Sequence, residues 1–159
     1  MILMAALAGG EIIAAVPTPR LDLGAEPVEI LLVRPEDDGL LAELRAVAAD
    51  PAKNVVLRIS QATASADPGA SWEVFVGPAA GAPCEKPATL VGLIALYGAA
   101  QADFAFALDD VIGRTEARGL KARFVPASGV ETEGAPAPVK IRTTLRLGAI
   151  TLEAEAAAD

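Results

Sequence analysis

Hydrophobic residues in this chain alternate with polar ones over several short stretches, and in one place only they follow a helical period. Val55, Leu57 and Ile59 alternate with Val56, Arg58 and Ser60, and Trp72, Val74 and Val76 alternate with Glu73 and Phe75. Phe104, Phe106 and Leu108 form a further set, and Leu120, Ala122 and Phe124 alternate with Lys121 and Arg123. The last set is Val139, Ile141, Thr143, Leu145 and Leu147, with Lys140, Arg142, Thr144 and Arg146 between them; Ile150 and Leu152 continue it beyond Gly148, where a bulge is expected. A two-residue period puts every other side chain on one face of a strand. Val28–Val33 reads as an earlier strand, and the apolar run from Leu90 to Tyr97 as a strand buried on both faces.

The helical exception is Leu40, Leu41, Leu44, Val47 and Ala48. Asp37 or Asp38 can cap its start, and Asp50-Pro51 stops it. Asp67-Pro68-Gly69 marks a turn, and Val16-Pro17-Thr18-Pro19 an extended linker. The expected architecture is mostly β, an antiparallel β-sandwich of jelly-roll or immunoglobulin-like type, with about seven or eight strands and one short helix. Residues 1–19 form an N-terminal segment and linker, and residues 20–159 a single domain. Gly129–Pro138 reads as a polar loop.

Composition narrows the function more by what it lacks. The net charge of −8 opposes phosphate backbones and anionic lipid surfaces, so neither nucleic acid nor membrane is an expected partner. With no histidine, neither a Ser-His-Asp triad nor a histidine-ligated metal centre can be built from this chain. The single Cys84, in a Pro/Gly-rich run beside Lys86, reads as an inert loop thiol. Asp37-Asp38 lacks the spacing of a calcium loop and reads as a helix cap. Asp109-Asp110 are adjacent, so on a strand they would diverge; Asp110 is expected to cap a turn or the short helical stretch Val111-Ile112-Gly113. Met1–Ala8 is apolar, but the first positive charge is Arg20, unlike a secretory leader. The compartment stays open, tilted toward the cytoplasm.

Lys121, Arg123, Lys140, Arg142 and Arg146 would make a basic, partner-facing stripe; the alternative is that they protect strand edges from aggregation. Trp72 reads as core.

The order of these segments resembles the C-terminal β-sandwich domain of tyrosinases and polyphenol oxidases, over about residues 20–153. Glu26–Ile30 leads into the helix, followed by Val55–Ile59, Ser71–Val76, Val91–Gly98, Phe104–Ile112, Leu120–Pro126 and the closing run from Val139 to Leu152. Trp72, Phe106 and Asp110 are the structural positions of this pattern, with Ala107 where the family carries an aspartate. The resemblance implies a non-catalytic cap, accessory or chaperone-like domain of a type-3 copper oxidase, with the copper and its histidines in a partner domain. Some relatives plug the substrate entrance with one side chain, for which no position here matches. The alternative is a structural or assembly module that self-associates into a homo-oligomer through its apolar N-terminal segment.

Overall fold

A computed structural model describes residues 10–17, 20–80, 88–96, 101–114, 118–127, 141 and 143–157. Among the described residues, ten strands form two antiparallel sheets, joined by two helices. The first sheet contains β1 (Glu11–Val16), β10 (Ile150–Ala156), β4 (Lys53–Thr63), β7 (Gln101–Ala107), β9 (Leu145–Leu147) and β2 (Leu21–Leu23). The second runs β3 (Val28–Val33), β8 (Arg118–Ala127), β5 (Ser71–Ala80), β6 (Thr89–Ile94). This is the expected antiparallel sandwich. The added strands are β1, β2 and the division of the last expected strand into β9 and β10.

The two-residue period does what it promises on the central strands. Val55, Leu57 and Ile59 of β4, Trp72, Val74 and Val76 of β5, Leu120, Ala122 and Phe124 of β8, and Ile150 and Leu152 of β10 are buried between the sheets. With so few aromatic residues, branched aliphatic side chains fill most of this layer. Burying each such side chain is worth about 1.5–3 kcal/mol.

One end of the sandwich is closed by helices. The chain leaves β3 at Val33 and enters α1 (Asp38–Ala49). The Asp37 carboxylate accepts from the Leu40 N–H at 3.1 Å, which is the expected cap. Leu41 and Leu44 face the core, and the Asp50 carboxylate accepts from the Ala52 N–H as the chain turns into β4. A second helix, α2 (Asp109–Arg114), follows β7 and buries Val111 and Ile112.

Several expectations are corrected. The Leu90–Tyr97 run is not buried on both faces: β6 is an edge strand, and Leu90 and Leu93 are 52% and 54% exposed on its outer face. Hydrophobicity alone could not distinguish an uncovered apolar strand from a doubly covered one. The segment ahead of Pro17 contributes β1, which pairs with β10 from Glu11↔Ala154 to Val16↔Ile150. In the last expected strand, Ile141 and Thr143 lie outside any strand, and pairing starts at Leu145. Val139, Lys140, Arg142, Tyr97, Cys84 and the 129–138 loop lie outside the described residues.

Gly148 sits where β9 passes into β10, and both of these pair with β4. A Cβ there would lie 2.2 Å from the Ser60 carbonyl oxygen, so the close approach admits only glycine. The register irregularity at this level falls in β4 against β7, between Ile59 and Ala62, where Gln61 has φ 56°. The bulge therefore belongs to the strand facing Gly148. The Asp103 carboxylate accepts from the displaced Gln61 N–H at 2.7 Å.

On the outer face of the first sheet, Arg58 of β4 reaches Glu153 and Glu155 of β10. Its Nε donates to Glu153 at 2.5 Å and its Nη2 donates to Glu155. The hydrogen bond to Glu153 holds the Arg58 guanidinium above its ordinary pKa, against the opposing effect of burial. Arginine is already protonated at neutrality, so this upward shift favours the fold across the ordinary pH range and is lost only in strong alkali. Glu153 is only 5% exposed, which makes its partner indispensable. Arg58→Ala is expected to destabilise the fold by about 3–5 kcal/mol, because it strands a buried carboxylate. Denaturant melts compared with Glu155→Ala, which removes an outer partner and leaves Glu153 paired, check this; equal effects would refute it.

Candidate interaction surface

Each candidate residue is positioned by its strand. Trp72 faces inward from β5, has no exposed surface, and its Nε1–H donates to the Gly24 carbonyl at 3.0 Å. It thus joins the second sheet to the turn after β2 and lies in the core, as its sequence context indicates. Phe106 faces inward from β7, its ring stacked on Phe104 with centroids 6.4 Å apart. A Cβ on Gly92 of β6 would lie 2.5 Å from the Phe106 ring, so a residue without a side chain lets the two sheets meet at this side.

The acidic pair divides its labour differently from the expectation. Asp109 takes the structural part: its carboxylate accepts from the Val55 N–H of β4 at 3.0 Å. The Leu108 N–H donates to the Val55 carbonyl, so the entry to α2 is held to β4 by two bonds. Asp110 points to solvent. Sequence reasoning chose Asp110 as the cap because only local partners were visible, whereas the group that needed an acceptor lies 54 residues earlier.

The basic stripe is not one surface. Lys121 and Arg123 lie on the outer face of the second sheet, and Arg146 lies on β9 of the first. Each is answered by an acid on the neighbouring edge strand. Lys121 and Arg123 lie 3.6 and 3.9 Å from Glu29 of β3, and Arg146 lies 3.3 Å from Asp22 of β2. Such exposed pairs contribute little to stability, at about 0–1 kcal/mol each. They remove most of the charge with which a stripe would attract a partner.

Among the described residues, three of the four exposed large apolar side chains, Leu31, Leu90 and Leu93, lie on the outer face of the second sheet. Registers Arg123↔Phe75 and Phe75↔Leu90 set Glu29, Arg123, Phe75 and Leu90 in one row across the four strands. The next row holds Val125, Glu73 and Leu93. A bulge in β6 at Val91 turns both Leu90 and Leu93 outward despite their odd spacing. That displacement is a tertiary feature the periodicity did not signal.

Tyrosinase-type chemistry requires copper held by histidines. This chain has no histidine, and among the described residues no three Cys, Asp or Glu side chains gather as metal ligands. The residues present do not fit a dicopper site. Among the described residues, no helix is long and apolar enough to cross a membrane.

Asp109→Ala is expected to cost about 1–3 kcal/mol by leaving the Val55 N–H without its acceptor, with Asp110→Ala within about 0.5 kcal/mol of the parent. Thermal melts of the two variants check the contrast, and the reverse ranking would reject the assignment.

No protein-family model matches this sequence, and no curated protein matches it either. Solved structures do match. Recombinantly expressed latent aurone synthase, a polyphenol oxidase, aligns with a TM-score of 0.50 and 14% identity over 94% of this chain and 29% of that one. The same enzyme co-crystallised with hexatungstotellurate(VI) gives 0.49 and 15% over 87% and 26%. The chain therefore spans less than a third of the length of the enzyme chains it matches. At the level of fold, the likeness seen in the order of the sequence segments is borne out: this chain has the architecture of one part of a polyphenol oxidase.

Proposed function

We propose that this chain is a non-catalytic cap or accessory domain for a tyrosinase-like type-3 copper oxidase. The copper and the oxidation chemistry belong to the partner. The observation that carries this reading is the fold likeness itself: nearly the whole chain corresponds to 29% of an oxidase described as latent. A chain without histidine has no means of holding the metal pair, so the remaining contribution is a surface.

The mechanism is steric. A rigid sandwich, closed by α1 and α2 at one end, covers a substrate entrance or steadies the oxidase while it folds. Stable covering calls for about 800 Å² on each partner. Among the polar groups of the described residues, the most strongly held are occupied internally: Asp109 by Val55, Arg58 by Glu153 and Glu155. This arrangement suits a scaffold better than an active site.

The alternative is self-association through the apolar N-terminal segment, of which Glu11–Val16 forms the edge strand β1, paired with β10 on one side. Residues 1–9 lie outside the described residues.

The test is to mix the purified chain with a purified tyrosinase-like phenol oxidase and follow oxidation of a simple phenol. The expected result is co-elution and a severalfold lower rate, reversed when the complex is dissociated. Separate elution with an unchanged rate rejects the proposal.

A further inference from the structure

The side of the sandwich formed by β1, β2 and β3 carries a cleft whose lining combines apolar walls with positive charge. β1 follows β10 as far as Val16↔Ile150, and β2 takes up the same sheet edge at Leu21↔Leu147. Between them Pro17 has no N–H to give to a ladder, and the edge of the first sheet is interrupted. On the facing edge of the second sheet, the register of β3 against β8 shifts between Leu31 and Val33. A cleft of about 370 Å³ lies where these two irregular edges meet, lined by Pro17 and Leu21 from the first and by Ile30, Leu31 and Leu32 from the second. That volume falls in the lower part of the range of small-molecule sites, roughly 300–1,000 Å³.

The apolar lining is graded in depth. Leu32 is buried, Leu21 and Ile30 are half-buried, and Pro17 and Leu31 stand at the surface. The remaining lining residues are two exposed arginines, Arg20 and Arg34. Among the described residues, no carboxylate lines the cleft. Arg34 has neither an ion pair nor a side-chain hydrogen bond among the described residues. Arg20 lies 3.5 Å from Asp22, but Asp22 also lies 3.3 Å from Arg146, so one carboxylate serves two guanidiniums. That carboxylate is 40% exposed, and water screens such a pair. The lining is therefore positive on a chain whose net charge is −8.

Charge and apolar wall together select the ligand. A guanidinium is a planar fork of N–H donors that matches a carboxylate. A neutral apolar molecule would leave both arginines unused, and a small inorganic anion would leave the leucines wet. A polyanion is opposed by the charge of the whole chain. We infer that this cleft binds a carboxylate carried on a compact apolar body, with Arg34 as its ion partner, Arg20 beside it, and Leu21, Ile30 and Leu32 against the body. A free organic acid and the terminal carboxylate of a polypeptide ending in an apolar residue share this chemistry. The inference does not rest on the covering role: it concerns one side of the isolated chain and is tested without an oxidase.

Titration of the isotope-labelled full chain with cyclohexanecarboxylate, followed by amide chemical shifts, tests it. The expected result is saturable shifts centred on the amides of Leu21, Ile30, Leu31, Leu32 and Arg34. Cyclohexanecarboxamide, which keeps the body without the charge, and acetate, which keeps the charge without the body, are each expected to bind about tenfold more weakly or worse. Arg34→Gln is expected to weaken cyclohexanecarboxylate about tenfold, with an unchanged melting temperature because the side chain is exposed and holds no partner among the described residues. Acetyl-leucine presents the carboxylate of a chain terminus; saturable binding of either acid at these amides supports the inference, and the tighter of the two names the source. No saturable shift at these amides with either acid up to about 20 mM overturns the inference. Binding of the carboxamide or of acetate as tight as that of the acid overturns it too, as does an Arg34→Gln chain that binds like the parent.

Discussion

Everything in this fold depends on the layer of side chains that β4 and β5 project toward each other. Leu57 and Ile59 from one sheet and Trp72 and Val74 from the other are without exposed surface, and each sheet is held flat against that layer by its central strand. β4 bears the heavier part. It is hydrogen-bonded to β10 and β9 on one side and β7 on the other, it receives the α2 entry through Val55, and it carries Arg58 outward. A change that turned β4 by one residue would exchange its two faces, driving Arg58 into the core and Leu57 into water.

The alternation that reveals such strands is local, and local features were the ones that could be read. The cap at Asp37, the stop at Asp50, the turn at Asp67–Gly69 and the inward sets on β4, β5 and β8 all depend on neighbours a few residues away. What escaped depends on distant partners. Of the strand pairs among the described residues, only β5–β6 joins consecutive strands; β1 finds β10, β2 finds β9 and β3 finds β8. No feature of the individual strands names these partners. For the same reason the basic residues looked like one stripe: β8 and β9 follow each other in the chain yet belong to different sheets. The exposure of Leu90 and Leu93 escaped because hydropathy does not record whether a neighbour is present to cover a surface. The cluster of Arg58, Glu153 and Glu155 was hidden for the complementary reason, since its members stand about a hundred residues apart and meet only when β10 lies beside β4.

The functional reading has the same structure as the fold. Among the described residues, Asp109, Glu153, Glu155 and Arg58 are committed to holding strands and helices in place. The chain's likeness to one part of a much longer polyphenol oxidase is a likeness of form, at 14% identity.

The pairing of β1 with β10 places Glu11 next to Ala154, so the backbone near the beginning of the described chain runs beside the backbone near its end. Polypeptide leaving from either side therefore departs from a single edge of the sandwich. Grafted into a surface loop of a host protein, this domain would need only short connectors and would stand from its host like a paddle on one stem, its opposite edge and both broad faces free to swing.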